Sequence, residues 1–222
     1  MASVVEIWRY PVKSMAGERL DSCAVTEGGL EGDRRWAFID QSPARAGKWF
    51  NIKQHAPLMT YHARLRGGAL DLVAPDGSNV ELDGALVRRF EAEAQRPIEL
   101  RELPGENFDA AHVLIVNLAT VQMFALEAGM AIDPRRFRAN LYVEGLEPEA
   151  ELGWLGRVIR AGDAELEVVD RCERCKVITM DPDTTEAKPE LLRILVEKHD
   201  ERLGMYCRVV RPGRVAVGDF VG

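Results

Sequence analysis

The sequence predicts a mostly β fold with some α, an α+β chain in which an N-terminal β-barrel-like unit precedes a second strand-rich unit with flanking helices. Short runs rich in β-branched and aromatic residues recur along the first hundred positions, punctuated by Gly and Pro, which is the spacing of a barrel or sandwich. Residues 113–116 (Val-Leu-Ile-Val) form a wholly apolar run, the pattern of a buried strand. Helical spacing is confined to two or three short stretches.

Taken in order, 4–8 alternates and is ended by Tyr10-Pro11, with 20–25 as its expected partner. Gly28, Gly29 and Gly32 mark a turn before a strand at 36–39. Strands follow at 59–65, 70–74 and 80–82, then a helix at 85–94 and a strand at 98–103. Composition changes near Pro104-Gly105, which sets the expected domains at 1–104 and 105–222. In the second, 120–128 reads as a helix ended by Gly129, and 141–143, 157–161 and 166–169 read as strands. A strand is expected to resume at 177–180. Leu191, Leu192, Leu195, Val196 and Leu203 keep helical spacing over 189–203, with Pro189 suited to the first turn and Gly204 to the end. Residues 206–210 and 215–221 close the chain as strands.

A chain of 222 residues is long enough for a sizeable core. Its net charge of −7 argues against general nucleic-acid binding, which needs a basic footprint. No apolar run reaches bilayer length, so no membrane partner and a cytoplasmic location are expected. Four cysteines (Cys23, Cys172, Cys175, Cys207) do not resemble a disulfide framework.

Cys172 and Cys175 stand among Arg171, Arg174 and Lys176. Thiolate is the form that ligates metals and attacks electrophiles, and neighbouring cations favour it, while Glu173 opposes. Half of a zinc site would need two more ligands, and Cys207, His112 and His199 are scattered. A dithiol redox pair normally opens a helix, whereas 177–180 reads as strand. A single thiolate holding a metal centre, with the other cysteine auxiliary, needs only one sulfur. Two inert buried cysteines are the remaining reading, at odds with the basic setting.

Other basic groups lie near predicted strand ends. Pro11 fixes a bend that presents Lys13 and Ser14 from one turn, a pairing suited to phosphate. Arg34 and Arg35 follow the glycine turn, and Arg135, Arg136 and Arg138 precede Asn140. Taken alone, each is a surface charge. His199 reads as a core-edge histidine, and Gly28-Gly29-x-x-Gly32 lacks the features of a phosphate loop or dinucleotide fingerprint.

The pieces in sequence tell more than each alone. Tyr-Pro-Val-Lys-Ser at 10–14, Gly-Asp-Arg-Arg-Trp at 32–36, Arg-Ala-Asn at 138–140, Arg-Cys-Glu-Arg-Cys at 171–175 and Asp-Pro-Asp-Thr at 181–184 resemble MOSC proteins, in the arrangement where an N-terminal β-barrel domain precedes the MOSC domain. The resemblance implies a molybdenum cofactor, a molybdopterin whose metal is bound by one protein cysteine. Cys175 matches that catalytic and metal-binding ligand, with Cys172 auxiliary. Lys13, Ser14, Arg34, Arg138 and Asn140 match cofactor-binding positions, and Tyr206 matches an aromatic near the pocket. The implied activity is reduction of small N-hydroxylated compounds. With no flavin, haem or ferredoxin-like motif in the chain, the electron donor is expected to be a separate protein. The alternative implied by the same family is a carrier of sulfur or cofactor, with a persulfide on Cys175. Two departures stand out: Ala110-Ala111 where small hydroxyl residues are frequent, and Glu173 where a small polar residue is frequent.

Overall fold

A computed structural model describes all residues, 1–222. In the first half the strands are β1 (Ala2–Arg9), β2 (Glu18–Leu20), β3 (Ser22–Thr26), β4 (Gly29–Leu30), β5 (Trp36–Asp40), β6 (Lys48–Phe50), β7 (His62–Arg66), β8 (Ala69–Val73) and β9 (Asn79–Val80), then helix α1 (Gly84–Ala94) and β10 (Ile98–Glu102). The second half runs β11 (Val113–Asn117), α2 (Leu118–Ala128), β12 (Leu141–Glu144), β13 (Val158–Ala161), β14 (Ala164–Glu173), α3 (Glu190–His199), β15 (Arg202–Arg211), β16 (Gly213–Ala216) and β17 (Phe220–Val221). The chain is thus mostly strand with three α-helices, the α+β class its patterning predicts. No helix is long and apolar enough to cross a membrane.

The second half closes a barrel, in the order β1-β12-β11-β15-β14-β13-β17 and back to β1. One of its seven staves, β1, comes from ahead of residue 104. Val4 and Ile7 on its inner face are fully buried with Val113, Ile115, Val143, Leu166, Val168 and Met205. β11 and β12 are parallel neighbours, which requires a crossover, and α2 supplies it on the outer face. Asn117 caps α2 by accepting from Ala119 N, and Gly129 ends it at φ +63°. α3 packs Leu191 and Leu195 on the same outer face against Val116, Phe124, Phe137 and Tyr142. Full burial of each such aliphatic side chain stabilises by roughly 1.5–3 kcal/mol.

At Arg9 the first strand stops pairing within the barrel and continues against β2, with Arg9 opposite Glu18. That departure carries the 10–14 segment out between the barrel and the rest of the first half. There, the sheets β10-β5-β6 and β7-β8-β9 enclose α1, whose Phe90 ring meets Phe38 at 5.3 Å and Tyr61 at 5.2 Å, edge to face. A third small sheet, β16-β3-β4, joins the C-terminal strands to the first half.

Four expectations fail locally. The partner expected for 4–8 at 20–25 is divided: Glu18–Leu20 pairs with β1, whereas Ser22–Thr26 pairs with β16 and β4. Residues 177–180 are not strand: Lys176–Thr179 is a 3₁₀ turn that buries Ile178 in the outer-face cluster. The late helix ends at His199, not Gly204, because Asp200 and Glu201 both turn at positive φ. Leu203 keeps the apolar spacing but already belongs to β15, where it packs on the same cluster. Residues 56–60 form a 3₁₀ turn, so the strand expected from 59 begins only at His62.

Candidate functional site

Between the barrel and the first half lies a cavity of about 400 Å³. All seven residues singled out in the sequence line it: Lys13, Ser14, Arg34, Arg138, Asn140, Cys175 and Tyr206. They come from the turn after β1, the turn before β5, the turn before β12, the end of β14 and the middle of β15.

A buried carboxylate holds three of those segments together. Asp33, 3% exposed, accepts from Tyr10 N at 2.7 Å and from Asn140 Nδ2 at 3.0 Å, and pairs with the Arg34 guanidinium. Asn140 has no free amide capacity: Nδ2 also reaches Trp8 O at 3.2 Å, and Oδ1 accepts from Leu114 N at 3.1 Å. Its place is structural, fixing the turn that presents Arg138. The Arg138 guanidinium stacks over the Tyr10 ring at 4.5 Å and donates to Met15 O at 2.7 Å. Lys13 is buried, with Nζ 2.8 Å from Asn107 O and 3.0 Å from Asp109 Oδ1, above the Trp49 ring at 3.9 Å.

Ser14, Arg34 and Arg138 share a backbone peculiarity. They sit at φ +77°, +48° and +53°, three of only eight non-glycine residues with positive φ. That region is unfavourable for residues with a Cβ, by roughly 1–2 kcal/mol each. Strain of this kind is retained where surrounding structure fixes it, and here it converges on one cavity wall.

The lining is strongly cationic. Lys13, Arg34, Lys53, Arg136, Arg138 and Arg174 face it against two carboxylates, Asp109 and Glu173, in a chain whose net charge is −7. Burial pushes Lys13 down to about 8, with Asp109 only partly opposing, and burial likewise lowers Arg138. Arg174 is buried without a carboxylate: Nε donates to Leu203 O at 2.8 Å, Nη1 to Phe137 O at 2.9 Å, and Nη2 has no partner. Gathering cations out of water is unfavourable unless a negative group compensates them. The donor set therefore suits an anion with several oxygens, such as a phosphate.

The two cysteines differ. Cys175 is free and half-buried on the cavity wall. Cys172 is 2% exposed and packed into the outer-face cluster, where burial raises its thiol despite Arg174. The basic neighbours do not all serve the sulfurs: Arg171 Nη2 binds His199 O and Lys176 Nζ binds Lys53 O. Nowhere in the chain do three or more His, Cys, Asp or Glu side chains gather as a metal-ligand set. A metal held here must bring most of its own ligands, and Cys175 can add one soft sulfur. That donor set fits a dithiolene-bound molybdenum with a phosphate tail.

Sequence reasoning missed Asp33 as the hub, although it lies in the quoted Gly-Asp-Arg-Arg-Trp motif. It read Arg174 as a cation favouring the thiolates and not as a buried cation of the cavity wall, and Lys53 carries no sequence signal. Both departures line the cavity: Ala110 and Ala111 contribute no hydroxyl, and Glu173 is exposed at its edge.

Comparison with known proteins bears on this cavity. The family model for the MOSC domain matches residues 103–222, and that for the MOSC N-terminal beta barrel domain matches residues 1–118. A molybdenum cofactor sulfurase of Caenorhabditis elegans is 24% identical over 93% of this chain and 33% of its own length. Mitochondrial amidoxime-reducing component 1 of Homo sapiens is 24% identical over 100% of this chain and 82% of its own. The chain thus spans a third or less of the sulfurases but most of the amidoxime-reducing component. Among solved structures, the YUAD protein from Bacillus subtilis superposes with TM-score 0.56 at 19% identity, covering 100% of this chain and 94% of that one, a likeness of fold.

Proposed function

This chain belongs to the MOSC family, with a MOSC N-terminal β-barrel domain ahead of a MOSC domain, and from that premise we propose that it is a molybdenum-cofactor-binding oxidoreductase that reduces small N-hydroxylated compounds. The observation that carries the reading is the meeting, in one cavity, of cations that outnumber its lining carboxylates with Cys175, the more exposed of the two free thiols on its wall.

Lys13, Arg34 and Arg138 hold the phosphate of the cofactor, and Ser14 adds a hydroxyl donor. Cys175 ligates the metal, and Cys172, buried behind it, keeps the β14 end packed on the barrel's outer face. When bound, the cofactor supplies the two-electron chemistry that turns an N–OH group into N–H and water. The residues of this chain anchor, orient and enclose; electrons come from a separate donor protein. Tyr10, whose hydroxyl burial pushes up to about 12, stays neutral beside Arg138 and serves as a platform. Asp33 fixes the geometry of the phosphate-binding arms.

The test is the molybdenum and pterin content of the protein purified under reducing conditions. Molybdenum near one per chain is expected, lost in Cys175→Ala and retained in Cys172→Ala. Equal molybdenum in wild type and Cys175→Ala rejects the ligand assignment.

A second reading has one observation in its favour: both cysteines are free and line the cavity, but Cys175 is half-buried whereas Cys172 is 2% exposed, so Cys175 is the sulfur a donor reaches, as a persulfide carrier needs. Cyanolysis after incubation with a sulfur donor separates the two. Sulfane sulfur on Cys175 without reductase turnover selects the carrier.

A further inference from the structure

On the far side of Arg138 lies a second cavity of about 400 Å³, and Arg138 is the one residue that lines both. Its wall is also basic: Arg19, His62, Arg64, Arg66, Arg135 and Arg138 line it, against Glu18 as the only carboxylate. Glu18 is already committed, bound to Arg9 at 2.8 Å and accepting from Leu65 N at 2.9 Å. Arg135 is neutralised by Asp133 and Asp183. Arg19 has only a long 3.8 Å contact to Glu6, and Arg66 a 3.5 Å contact to exposed Asp71. Arg64 and His62 belong to none of the chain's ion pairs, so the cavity holds a field that its own side chains leave uncompensated. The remaining wall offers an aromatic surface from half-buried Trp8, backed by Tyr10 and Met59, which are 3% and 2% exposed.

No cysteine reaches this cavity, so it has no part in the metal chemistry proposed above. We propose that it is a separate binding site for a small phosphate-bearing molecule with an aromatic ring, of the nucleoside phosphate class. Convergent arginines bind the phosphate oxygens, and the half-buried Trp8 face takes the ring. A cavity of this volume suits a ligand of that size.

The test is calorimetric titration of the full chain with AMP, inorganic phosphate and adenosine at physiological salt. One saturable site for AMP is expected, with phosphate and adenosine each at least about tenfold weaker, a difference of roughly 1.4 kcal/mol. Arg64→Glu should weaken AMP by about tenfold or more, whereas Arg193→Glu, the same charge change on exposed α3, should leave it within about twofold. Several results overturn the proposal: no saturable AMP binding, equal losses from the two reversals, or phosphate binding as tightly as AMP. A loss in Lys13→Ala matching that in Arg64→Glu also overturns it, because it moves the ligand into the Cys175 cavity. None of these readouts depends on molybdenum, so this proposal and the reductase reading fail separately.

Discussion

Asn140 Nδ2 donates a 3.0 Å hydrogen bond to Asp33 Oδ2 across 107 positions of sequence. The bond joins the turn before β5 to the turn before β12, and through Tyr10 N the same carboxylate also holds the end of β1. Arg34 and Arg138 therefore enter the cavity from segments that share one buried anchor. The two halves of the chain meet at a site neither could build alone.

Removing that anchor should cost stability and binding together. Asp33→Ala leaves the Asn140 amide, the Tyr10 N–H and the Arg34 guanidinium short of a buried partner. A loss on the order of 3–5 kcal/mol is expected, read from urea unfolding, with molybdopterin lost on gel filtration. A destabilisation under about 1 kcal/mol would show that water replaces the carboxylate and that Asp33 is not the anchor.

Ser14 offers the opposite trade. At φ +77° its Cβ is strained, and glycine is at ease there. Ser14→Gly should be neutral to about 1 kcal/mol more stable, because relief of strain is set against a floppier unfolded chain. Cofactor retention should nonetheless fall, since the hydroxyl is gone. A variant both less stable and fully loaded would contradict the assignment of Ser14 to binding.

Much of this architecture is visible in the residues. Ala2 and Val4 face the core by alternation, a bulge between Val4 and Glu6 brings Ile7 to the same face, and Gly129 stops α2 where expected. Where reading fails, tertiary contacts have overruled local preference. Val177 and Ile178 have strand propensity, yet Ile178 is buried from a 3₁₀ turn. Leu203 prolongs a helical stripe only because β15 returns over the same cluster. Lys13, Ser14, Arg34, Arg138 and Asn140 lie in or beside turns marked by Pro11, Gly32 and the Arg-rich segment at 135–138, yet taken alone the cations read as surface charges. The order of the motifs, which resembles MOSC proteins, marks these five together with Cys175 and Tyr206. The hub role of Asp33 was not legible, because its bond to Asn140 spans 107 positions, and the burial of Arg174 was not, because its acceptors Phe137 and Leu203 lie on other elements. His199 lies at the core edge as expected, packed on Phe124 with its ring nitrogens reaching the more exposed Glu127 at 2.6 Å and Glu149 at 3.2 Å, a pairing no local pattern announces.

Glu173 opposes the sign of its surroundings. It is exposed at the edge of a cavity built for an anion, two positions before Cys175. A solvent-facing like charge is worth on the order of 1 kcal/mol. Glu173→Gln should therefore slow cofactor loss several-fold, with the gain shrinking as salt screens the charge. Dissociation rates of the pterin, followed by its fluorescence at low and high ionic strength, test this. A rate unchanged at low salt would mean the carboxylate points away from the anion.

Lys13 makes the cavity sensitive to alkali. In the folded chain burial holds it near 8, below the ordinary lysine value of 10.5 that the unfolded chain retains. Below pH 8 both states are protonated, and the buried ammonium carries its full desolvation penalty. As pH rises from 8 toward 10.5 the folded state gives up its proton first, so the unfolded state binds more protons and stability rises. The whole interval corresponds to about 3 kcal/mol. In cofactor-free protein, wild type should thus gain stability relative to Lys13→Met between pH 7.5 and 10, as measured by urea unfolding. Anion affinity should move the other way, falling above pH 8 as the ammonium is lost. Bound phosphate stabilises the charged form and pulls the value up, so affinity should fall from about pH 8 until the raised value of the loaded protein is reached, and level off above it. Parallel wild-type and Lys13→Met profiles over this range would remove Lys13 from the site's electrostatics.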